Sequence, residues 1–400
     1  MIALLFVLVA AVIQIVFYWT GFGQTRDMRW VNTRQGVSYT PDAGPLFYAH
    51  GGRFFYIVTR DGVRYISAEN STTRWHHSLS LTRPLMATRG DRIAVTEEYR
   101  GRTIYVFDPN GLYFSVTMAH PVHVFSINPA GFLAVVVQLD GGYAVYVFTQ
   151  QSTQRPGGRA YIYRRPVLAS QVVPVAVEVS EDGRYIALAM LDISHRLHTW
   201  IDLGFVNERD AQGTTDGTFA SRQLEDQILL AMRFMEGNRL LVVTDTQVVC
   251  FARGPGHQVL QDWQHPLHNR LDHIAFDGDN RFVLALGERV LNAADPQPPG
   301  TVLMYDISGR RTGSYAMGRR VTHLTAGHGM VIVGAGRSFH AVCEGGVRQW
   351  EYIALHDTRD ILFLESTSSV LVAGLTRADV WRRQRTRSGE PGDIFGIQQG

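Results

Sequence analysis

The sequence predicts an all-β protein: a β-propeller of about eight four-stranded blades, with seven as the alternative, preceded by one N-terminal transmembrane helix. The propeller is predicted by a repeat. Seven times, a glycine-containing turn is followed by a short apolar run and then by a second strand-like segment. Consecutive turns lie about 40 to 55 residues apart, which is the length of one four-stranded blade. The turns are Gly51–Gly52, Gly90–Asp91, Asn128–Gly131, Glu181–Gly183, Glu236–Asn238, Asp277–Asn280 and Gly327–Gly329.

The helix is predicted by the first segment, Ile2–Trp19, which is apolar or aromatic apart from Gln14. As a helix its 18 residues would span roughly 27 Å, which is enough to cross the hydrocarbon layer of a membrane. Tyr18 and Trp19 lie where aromatic residues favour the membrane interface. We therefore expect residues 1–20 to be a transmembrane anchor that contacts the lipid bilayer through Ile2–Trp19.

Two alternatives to a retained anchor stay open at this stage. Gly21 and Gly23 leave a weak cleavage site for a signal peptide, and a buried helix of a soluble domain is the third interpretation. The orientation is also open, because Arg26, Arg29 and Arg34 follow the span and no arginine precedes it. Taken alone, that bias would place the large domain in the cytoplasm. The absence of basic residues before the span is also explained if translation starts upstream of Met1.

Residues 21–44 follow as a linker with a possible ring-closing strand, and residues 45–384 are predicted to form the propeller. Short or alternating apolar runs between turns are typical of strands. The last unit is one strand short, and a strand from residues 36–40 would complete it and remove the exposed sheet edges. In chain order, the predicted strands are Leu46–Tyr48, Phe54–Val58, Val63–Ser67, Trp75–Leu81, Arg92–Val95, Thr103–Phe107, Leu112–Thr117, Val122–Ile127, Phe132–Val137, Ala144–Phe148, Val175–Val179, Tyr185–Leu191, Thr199–Leu203, Leu230–Phe234, Leu240–Thr244, Val248–Phe251, His273–Phe276, Phe282–Leu286, Val302–Tyr305, Val321–Leu324, Val331–Val333, Phe339–Val342, Ile361–Leu364, Val370–Ala373 and Ala378–Trp381.

Two stretches are longer than a blade requires, Gln150–Arg165 and Phe205–Asp226. Both are rich in glycine, glutamine, threonine and charged residues, so we predict long surface loops there. The end of the chain, residues 385–400, is predicted to be a basic, disordered tail.

Composition excludes some classes of protein. Hydrophobic residues make up 45% of the chain, which allows a large core and excludes wholesale disorder. The formal net charge of +2 gives no global attraction to nucleic acid, so no nucleic-acid partner is expected. Cys250 and Cys343 lie in apolar runs about two repeats apart, which favours buried free thiols over a disulfide.

The stretch from Gly90 to Phe251 carries a family resemblance. Its segments GDRIAV, GRTIYVFDPNGL, VPVAVEVSEDGRYIALAML and WIDLGFVN resemble an uncharacterised family of single-pass, membrane-anchored β-propellers of Gram-positive bacteria. That family is a domain of unknown function, described as quinoprotein-like or WD40-like. The resemblance implies a propeller outside the cytoplasm, held by a single span in the cell membrane, with no assigned catalytic residue.

The candidate metal ligands are better explained by the fold. His265, His268 and His273 could converge on an ion from a helix or a turn, but Pro266 interrupts a helix and His273 begins a strand. We therefore predict a polar loop between blades rather than a metal site.

Candidate catalytic residues are similarly weak. The paired aspartates occupy β-turn positions where Asp bonds its own backbone, and no nucleophile elbow or phosphate loop occurs. The tryptophans do not share a frame, meaning a fixed position in the repeat, so the tryptophan-docking repeat of quinoprotein propellers is absent. These tryptophans are Trp75, Trp200, Trp263, Trp350 and Trp381. We predict no catalytic residue, no cofactor and no metal.

The sequence therefore predicts a membrane-tethered, non-catalytic propeller that acts as a binding or scaffolding module at the cell envelope. Its expected partner is another envelope protein or a wall polymer. The candidate partner contacts are Arg155, Arg159, Arg164 and Arg165, and the candidate lipid contacts are Trp381, Arg382, Arg383, Arg385 and Arg387. The alternatives are a propeller enzyme acting on a glycan or peptide in the central funnel and a small-ligand sensor that signals through the anchor.

Overall fold

The chain folds into eight antiparallel sheets of four strands each, so the prediction of an all-β propeller with eight blades is confirmed. The computed structural model describes residues 28–40, 44–49, 52–154, 160–167, 171–194, 197–206, 218–253, 259–288 and 299–385. In each blade the four strands are hydrogen-bonded side by side, and seven blades use four strands that are consecutive in the sequence.

Strands are numbered here in chain order. Blade 1 contains β2 (Leu46–Ala49), β3 (Phe54–Thr59), β4 (Gly62–Ser67) and β5 (Thr73–Ser78). Blade 2 contains β6 (Pro84–Arg89), β7 (Arg92–Glu97), β8 (Thr103–Asp108) and β9 (Gly111–Thr117). Blade 3 contains β10 (Val122–Ile127), β11 (Leu133–Leu139), β12 (Gly142–Phe148) and β13 (Tyr163–Val167). Blade 4 contains β14 (Val172–Val179), β15 (Tyr185–Asp192), β16 (His198–Phe205) and β17 (Thr218–Glu225).

Blade 5 contains β18 (Leu229–Met235), β19 (Arg239–Thr244), β20 (Gln247–Arg253) and β21 (Val259–Pro266). Blade 6 contains β22 (Arg270–Asp277), β23 (Arg281–Gly287), β24 (Gly300–Asp306) and β25 (Arg311–Met317). Blade 7 contains β26 (His323–Gly327), β27 (Met330–Ala335), β28 (Ser338–Cys343) and β29 (Arg348–Ile353). Blade 8 contains β30 (Asp360–Phe363), β31 (Ser369–Ala373), β32 (Arg377–Arg385) and β1 (Met28–Ser38). A one-turn helix, α1 (Gln150–Thr153), and a 3-10 turn, Glu236–Asn238, complete the described elements.

The first strand of each blade lies nearest the propeller axis. First strands of neighbouring blades contact one another, for example β10 with β14 and β30 with β2. We call the space that these eight strands enclose the axial channel. The turns between first and second strands lie on one face of the disc, which is also where β32 ends and β1 begins. We call this the terminal face, and the opposite one the distal face.

The ring is closed by β1, which pairs antiparallel with β32 as the outer strand of blade 8. Met28 lies opposite Arg385 and Val37 opposite Ala378, and Thr33 Oγ1 donates a hydrogen bond of 2.9 Å to the Val380 carbonyl. The closing strand expected within residues 36–40 thus begins earlier and ends at Ser38. The expectation that the arginines up to Arg385 follow the last strand is wrong, since they belong to β32.

The hydrophobic core is divided into eight clusters, one in each gap between neighbouring blades. The cluster between blades 8 and 1 contains Val37 of β1 together with Phe55, Leu371 and Val380. Because the second and third strands are covered by a blade on each side, they read as continuous apolar runs, which is why the sequence predicted them well.

The repeated glycine turns join neighbouring blades at the terminal face. Every one of the eight junctions carries a hydrogen bond from a residue in or beside the turn between first and second strands. Gly183 illustrates the constraint: its φ is 72°, and a Cβ there would lie 2.2 Å from the ring of Phe132 in blade 3. In blade order, the bonds are Tyr48 Oη to Gly90 O, Arg92 Nη1 to Pro129 O, Asn128 Nδ2 to Ser180 O, Asn238 Nδ2 to Asp182 Oδ2, Glu236 N to Asp279 O, Gly329 N to Asp277 Oδ2, His328 Nε2 to Leu364 O and Arg53 Nε to Glu365 Oε1.

The two predicted long loops are partly wrong. The first predicted loop overlaps the start of β13, Tyr163–Val167. The second predicted loop contains β17, Thr218–Glu225. Both are outer strands with consecutive polar residues, Arg164-Arg165 in β13 and Ser221–Gln223 in β17, which hid the strand pattern. No helix among the described residues is long and apolar enough to cross a membrane. Residues 1–20, on which the anchor prediction depends, lie outside the described part of the chain.

Candidate binding site on the propeller axis

Four charged side chains from four different blades meet in the axial channel near the terminal face. Arg89 ends β6, Glu178 is the penultimate residue of β14, Arg233 lies in β18, and Asp279 lies in the turn that follows β22. Each position is at or near the point where a first strand reaches its turn. We call these four residues the axial cluster.

Asp279 holds the two arginines together. Its Oδ1 accepts a hydrogen bond of 2.6 Å from Arg89 Nη2 and one of 3.2 Å from Arg233 Nη2. Arg89 Nη2 also donates to the Phe234 carbonyl oxygen of blade 5. Blades 2 and 6 are opposite each other in a ring of eight, so the Arg89–Asp279 pair reaches across the axis at this level.

The cluster leaves polar groups without partners. The Nε atoms of Arg89 and Arg233 are buried and make no hydrogen bond, and the Arg89 side chain is only 7% exposed. Within the described residues, no hydrogen bond to the Glu178 carboxylate is found either. A buried polar group without a partner costs about 1–3 kcal/mol and is rare in folded proteins. Such groups take their missing bonds from water or from a bound ligand.

Burial dominates the electrostatics of the cluster. Protein surrounds the Glu178 carboxyl group, although the channel leaves part of the side chain accessible to water. This desolvation raises the pKa of Glu178 to about 7; Arg89 and Arg233 oppose the rise, and Asp279 adds to it. Burial and the neighbouring Arg89 also lower the pKa of the Arg233 guanidinium, whose plane lies 4.4 Å from the centre of the Phe276 ring.

The distal end of the channel is shaped by bulges. The first strands of blades 3, 4, 5 and 6 each contain one near their start, between Val122 and Val124, Pro174 and Ala176, Leu229 and Ala231, and Leu271 and His273. An extra residue at a bulge is re-aimed away from the ladder. The residues so placed are His123, Val175, Leu230 and Asp272.

One side of this distal opening is apolar. Leu85 of blade 2, Val175 of blade 4 and Leu230 of blade 5 are 37%, 36% and 47% exposed. The other side, in blades 6 to 8, is polar. There Asp272, with a side chain 1% exposed, pairs with Arg270 at 2.7 Å and Arg320 at 3.1 Å.

Exposed large apolar side chains are unevenly divided between the two faces. Of the twelve in the described residues, three lie at the terminal face, and Val175 lies midway along its strand. The eight at the distal face are Leu85, Tyr99, Ile193, Ile228, Leu230, Ile353, Leu355 and Leu375.

Of the four predicted partner contacts, the structure describes Arg164 and Arg165. Arg165 of blade 3 is bound to Asp202 of blade 4 at 2.6 Å, with exposed fractions of 17% and 9%, so it holds two blades together. Arg164 is exposed and lies over the Tyr146 ring at 5.8 Å. Arg155 and Arg159 lie outside the described residues.

The predicted lipid contacts are strand residues as far as they are described. The Trp381 ring packs on Tyr352 of blade 7 at 5.3 Å and is half-buried. Arg382 and Arg383 are half-buried in β32, which runs to the terminal face. Arg387 lies outside the described residues.

Three of the tryptophans occupy the same position in their blades, which the sequence did not reveal. Trp75, Trp263 and Trp350 each occupy the fourth strand of a blade, directly after a bulge against the third strand. Each indole Nε1 donates to a carbonyl oxygen in a turn of the next blade, at 3.0, 2.9 and 3.3 Å. The expectation of no shared position is therefore wrong for these three, which join blades, whereas Trp200 and Trp381 lie in third strands.

The histidines of the predicted polar loop lie in and around two strands. His265 belongs to β21 and bonds the Gly309 carbonyl at 2.6 Å, while His273 belongs to β22 and His268 lies between the strands. No group of three or more ligating side chains close enough to hold a metal occurs in the described part of the chain. Cys250 and Cys343 are unbridged.

The axial cluster was missed because its members are about 45 to 190 residues apart in sequence. One signal was present: Arg89 directly precedes the Gly90 turn, and Glu178 and Arg233 each lie three residues before theirs. A charged residue one to three positions before the glycine-containing turn, near the end of the innermost strand, indicates the axial channel.

Together, the eight blades and the axial site define a β-propeller, and a solved structure agrees on the fold. BamB from Moraxella catarrhalis matches with a TM-score of 0.50 and 10% identity, covering 88% of this chain and 100% of that chain. The Pan2 WD40 domain from Neurospora crassa matches with a TM-score of 0.43 and 10% identity, covering 90% of this chain and 96% of that one. At 10% identity, the likeness to BamB concerns the fold alone.

In sequence, the chain belongs to DUF5711, a family of unknown function whose model matches residues 43–380. No curated protein matches the chain in sequence.

Proposed function

We propose that this protein is a membrane-tethered, non-catalytic propeller that binds a protein of the cell envelope through its distal face. The distribution of exposed apolar side chains supports this proposal most directly. Eight of the twelve in the described residues lie at the distal face, whereas both described chain ends leave from the terminal face. The surface best suited to a partner is thus the one that the tether leaves free.

The chemistry of the distal face favours a protein over a wall polymer. Seven of its eight exposed apolar residues are leucine or isoleucine. Aliphatic side chains gain from contact with other apolar surface, which a protein partner offers. A sugar polymer would instead call for aromatic platforms and dense hydrogen-bonding groups.

The tether would hold the terminal face toward the bilayer. Only the eight residues 20–27 separate Ile2–Trp19 from β1, and a fully extended chain of that length reaches at most about 29 Å. Arg382 and Arg383 lie in the strand that ends at this face. Each arginine close to an anionic leaflet contributes on the order of 1 kcal/mol, so these residues would reinforce the orientation.

A pair of double variants tests the proposal in the full-length protein, purified with its partner after mild cross-linking in native membranes. Leu355→Asp with Leu375→Asp places charge on the distal face, where the two residues are 61% and 52% exposed. Leu112→Asp with Val347→Asp is the matched control on the terminal face, at 44% and 60% exposed. We expect the distal variant to lose the protein that co-purifies with the wild type, and the control to keep it. Equal recovery with both variants would contradict the proposal.

A further inference from the structure

We propose that the axial cluster binds one carboxylate of a partner polypeptide, supplied by an acidic side chain or a free C-terminus that enters the channel from the distal face. This inference rests on the proposed function and specifies the chemical group that the propeller recognises. It assigns Arg89 and Arg233 as the carboxylate-binding residues and Glu178 as the group that adjusts their charge.

The hydrogen-bond inventory identifies what the ligand must accept. A guanidinium group offers five N–H donors in a planar fork that matches a carboxylate. Within the described residues, Arg89 and Arg233 donate through Nη2 alone, so no hydrogen bond there uses the Nη1 group of either side chain. Two adjacent, incompletely used guanidinium groups form a donor site for an anion with two oxygens.

The charge balance leads to the same ligand. Arg89 and Arg233 carry two positive charges, and Asp279, which is bonded to both, supplies one negative charge. When the Glu178 carboxyl group is neutral, the cluster has a net charge of +1, which one carboxylate cancels. A cationic ligand would instead face two arginines at close range.

Glu178 makes the site sensitive to pH. The charged groups that face it are Arg89 of blade 2, Arg233 of blade 5 and Asp279 of blade 6, and Tyr48 of blade 1 lies beside the two arginines. The neutral carboxyl group can donate a hydrogen bond to the ligand, whereas the ionised one repels it. Because its pKa is raised to about 7, carboxylate binding should strengthen as pH falls through neutrality.

The route to the cluster is consistent with a polypeptide. The distal opening is lined by Leu85, Val175 and Leu230, which would cover the apolar part of an inserted segment. Contact with these side chains would exclude water, and electrostatic interactions are stronger where water is excluded. A free inorganic anion would gain nothing from this apolar wall.

Three fluorescently labelled hexapeptides of the same apolar sequence test the proposal with the full-length protein in detergent. The first has a free C-terminal carboxylate, the second a C-terminal amide, and the third an amide and one glutamate. We expect the first or the third to bind at least about tenfold more tightly than the second. The first would identify a chain terminus as the source, and the third an acidic side chain. The absence of saturable binding of either acidic peptide up to about 1 mM would overturn the proposal.

Variants separate recognition by the cluster from a merely structural role. Arg233→Gln should weaken acidic-peptide binding about tenfold or more. Glu178→Gln, which mimics the neutral carboxyl group, should keep tight binding and lose the wild-type dependence on pH between about 5.5 and 8.5. Arg310→Gln, at a side chain 79% exposed, is the matched control and should bind as the wild type does.

Either of two outcomes would contradict the proposal: a Glu178→Gln protein that keeps the pH dependence, or an amide peptide that binds as well as the acids. Should Arg233→Gln fail to fold, the pH profile of Glu178→Gln decides alone. The two proposals can also be told apart. If distal-face substitutions abolish co-purification of the partner but a carboxylate on the peptide has no effect on binding, the proposed function stands and this inference is wrong.

Discussion

Two carboxylates of blade 4, on strands separated by β15, differ in how their charge is satisfied. Asp202 of β16 accepts from Arg165 at 2.6 Å and from Ser221 Oγ at 2.6 Å. Glu178 of β14 has two arginines nearby but accepts no hydrogen bond within the described residues. The first carboxylate therefore stabilises the fold as it stands, and the second is held in a destabilised charged state.

Replacing Glu178 should stabilise the protein in a pH-dependent way. Its folded pKa of about 7 exceeds the ordinary value of 4.5, so the native state binds more protons than the unfolded chain between these values. The free energy of unfolding of the wild type then falls as pH rises through this window. We expect Glu178→Gln to be more stable than the wild type by on the order of 2–3 kcal/mol at about pH 8, and nearly equal at about pH 4. Urea unfolding at both pH values measures the difference, and a pH-independent difference would contradict this explanation.

Replacing Arg165 should have the opposite effect. Arg165→Ala leaves Asp202, 9% exposed, without its cation, at a cost of about 1–3 kcal/mol. Arg310→Ala breaks an ion pair of similar length, 3.0 Å, whose arginine is 79% exposed, and should cost less than about 1 kcal/mol. Thermal unfolding of the two variants compares them directly. An equal loss would mean that Arg165 does not join blades 3 and 4.

At the scale of elements, burial decided which strands the sequence could predict. The second strand of blade 3, β11, has five buried residues in succession and was found. The fourth strand of blade 5, β21, alternates exposed and covered residues around Trp263 and was missed. Five of the fourth strands were missed in this way, as was β6, whose residues are mostly half-buried. Three predicted strands in seven of the blades, and four in blade 1, were therefore enough to give the right blade number.

The closing strand provides the sharpest test at this scale. Val37 of β1 is 9% exposed in the core between blades 8 and 1, whereas the next residue, Ser38, is exposed. Val37→Asp should cost about 3 kcal/mol or more because it buries a charge, and Ser38→Asp should cost less than about 0.5 kcal/mol. Limited proteolysis and thermal unfolding would detect the opened ring. Equal behaviour of the two variants would contradict closure by β1.

At the scale of the whole molecule, the repeat predicted the ring but not what the ring brings together. The glycine turns recur at blade length, and in the structure the same turns carry the hydrogen bonds at all eight junctions. The axial cluster depends on closure instead. Arg89 and Asp279 are separated by 190 residues and become neighbours only when blades 2 and 6 face each other across the axis. Pairwise spacing in the sequence could not have predicted that contact.

The most direct test of the account is site-specific photo-cross-linking in intact membranes. A benzophenone side chain replaces Leu355 on the distal face or, as the matched control, Val347 on the terminal face; the two residues are 61% and 60% exposed. Binding through the distal face predicts one cross-linked protein of defined mass from position 355 and none of that mass from position 347. The same product from both positions, or a product from position 347 alone, would contradict binding through the distal face.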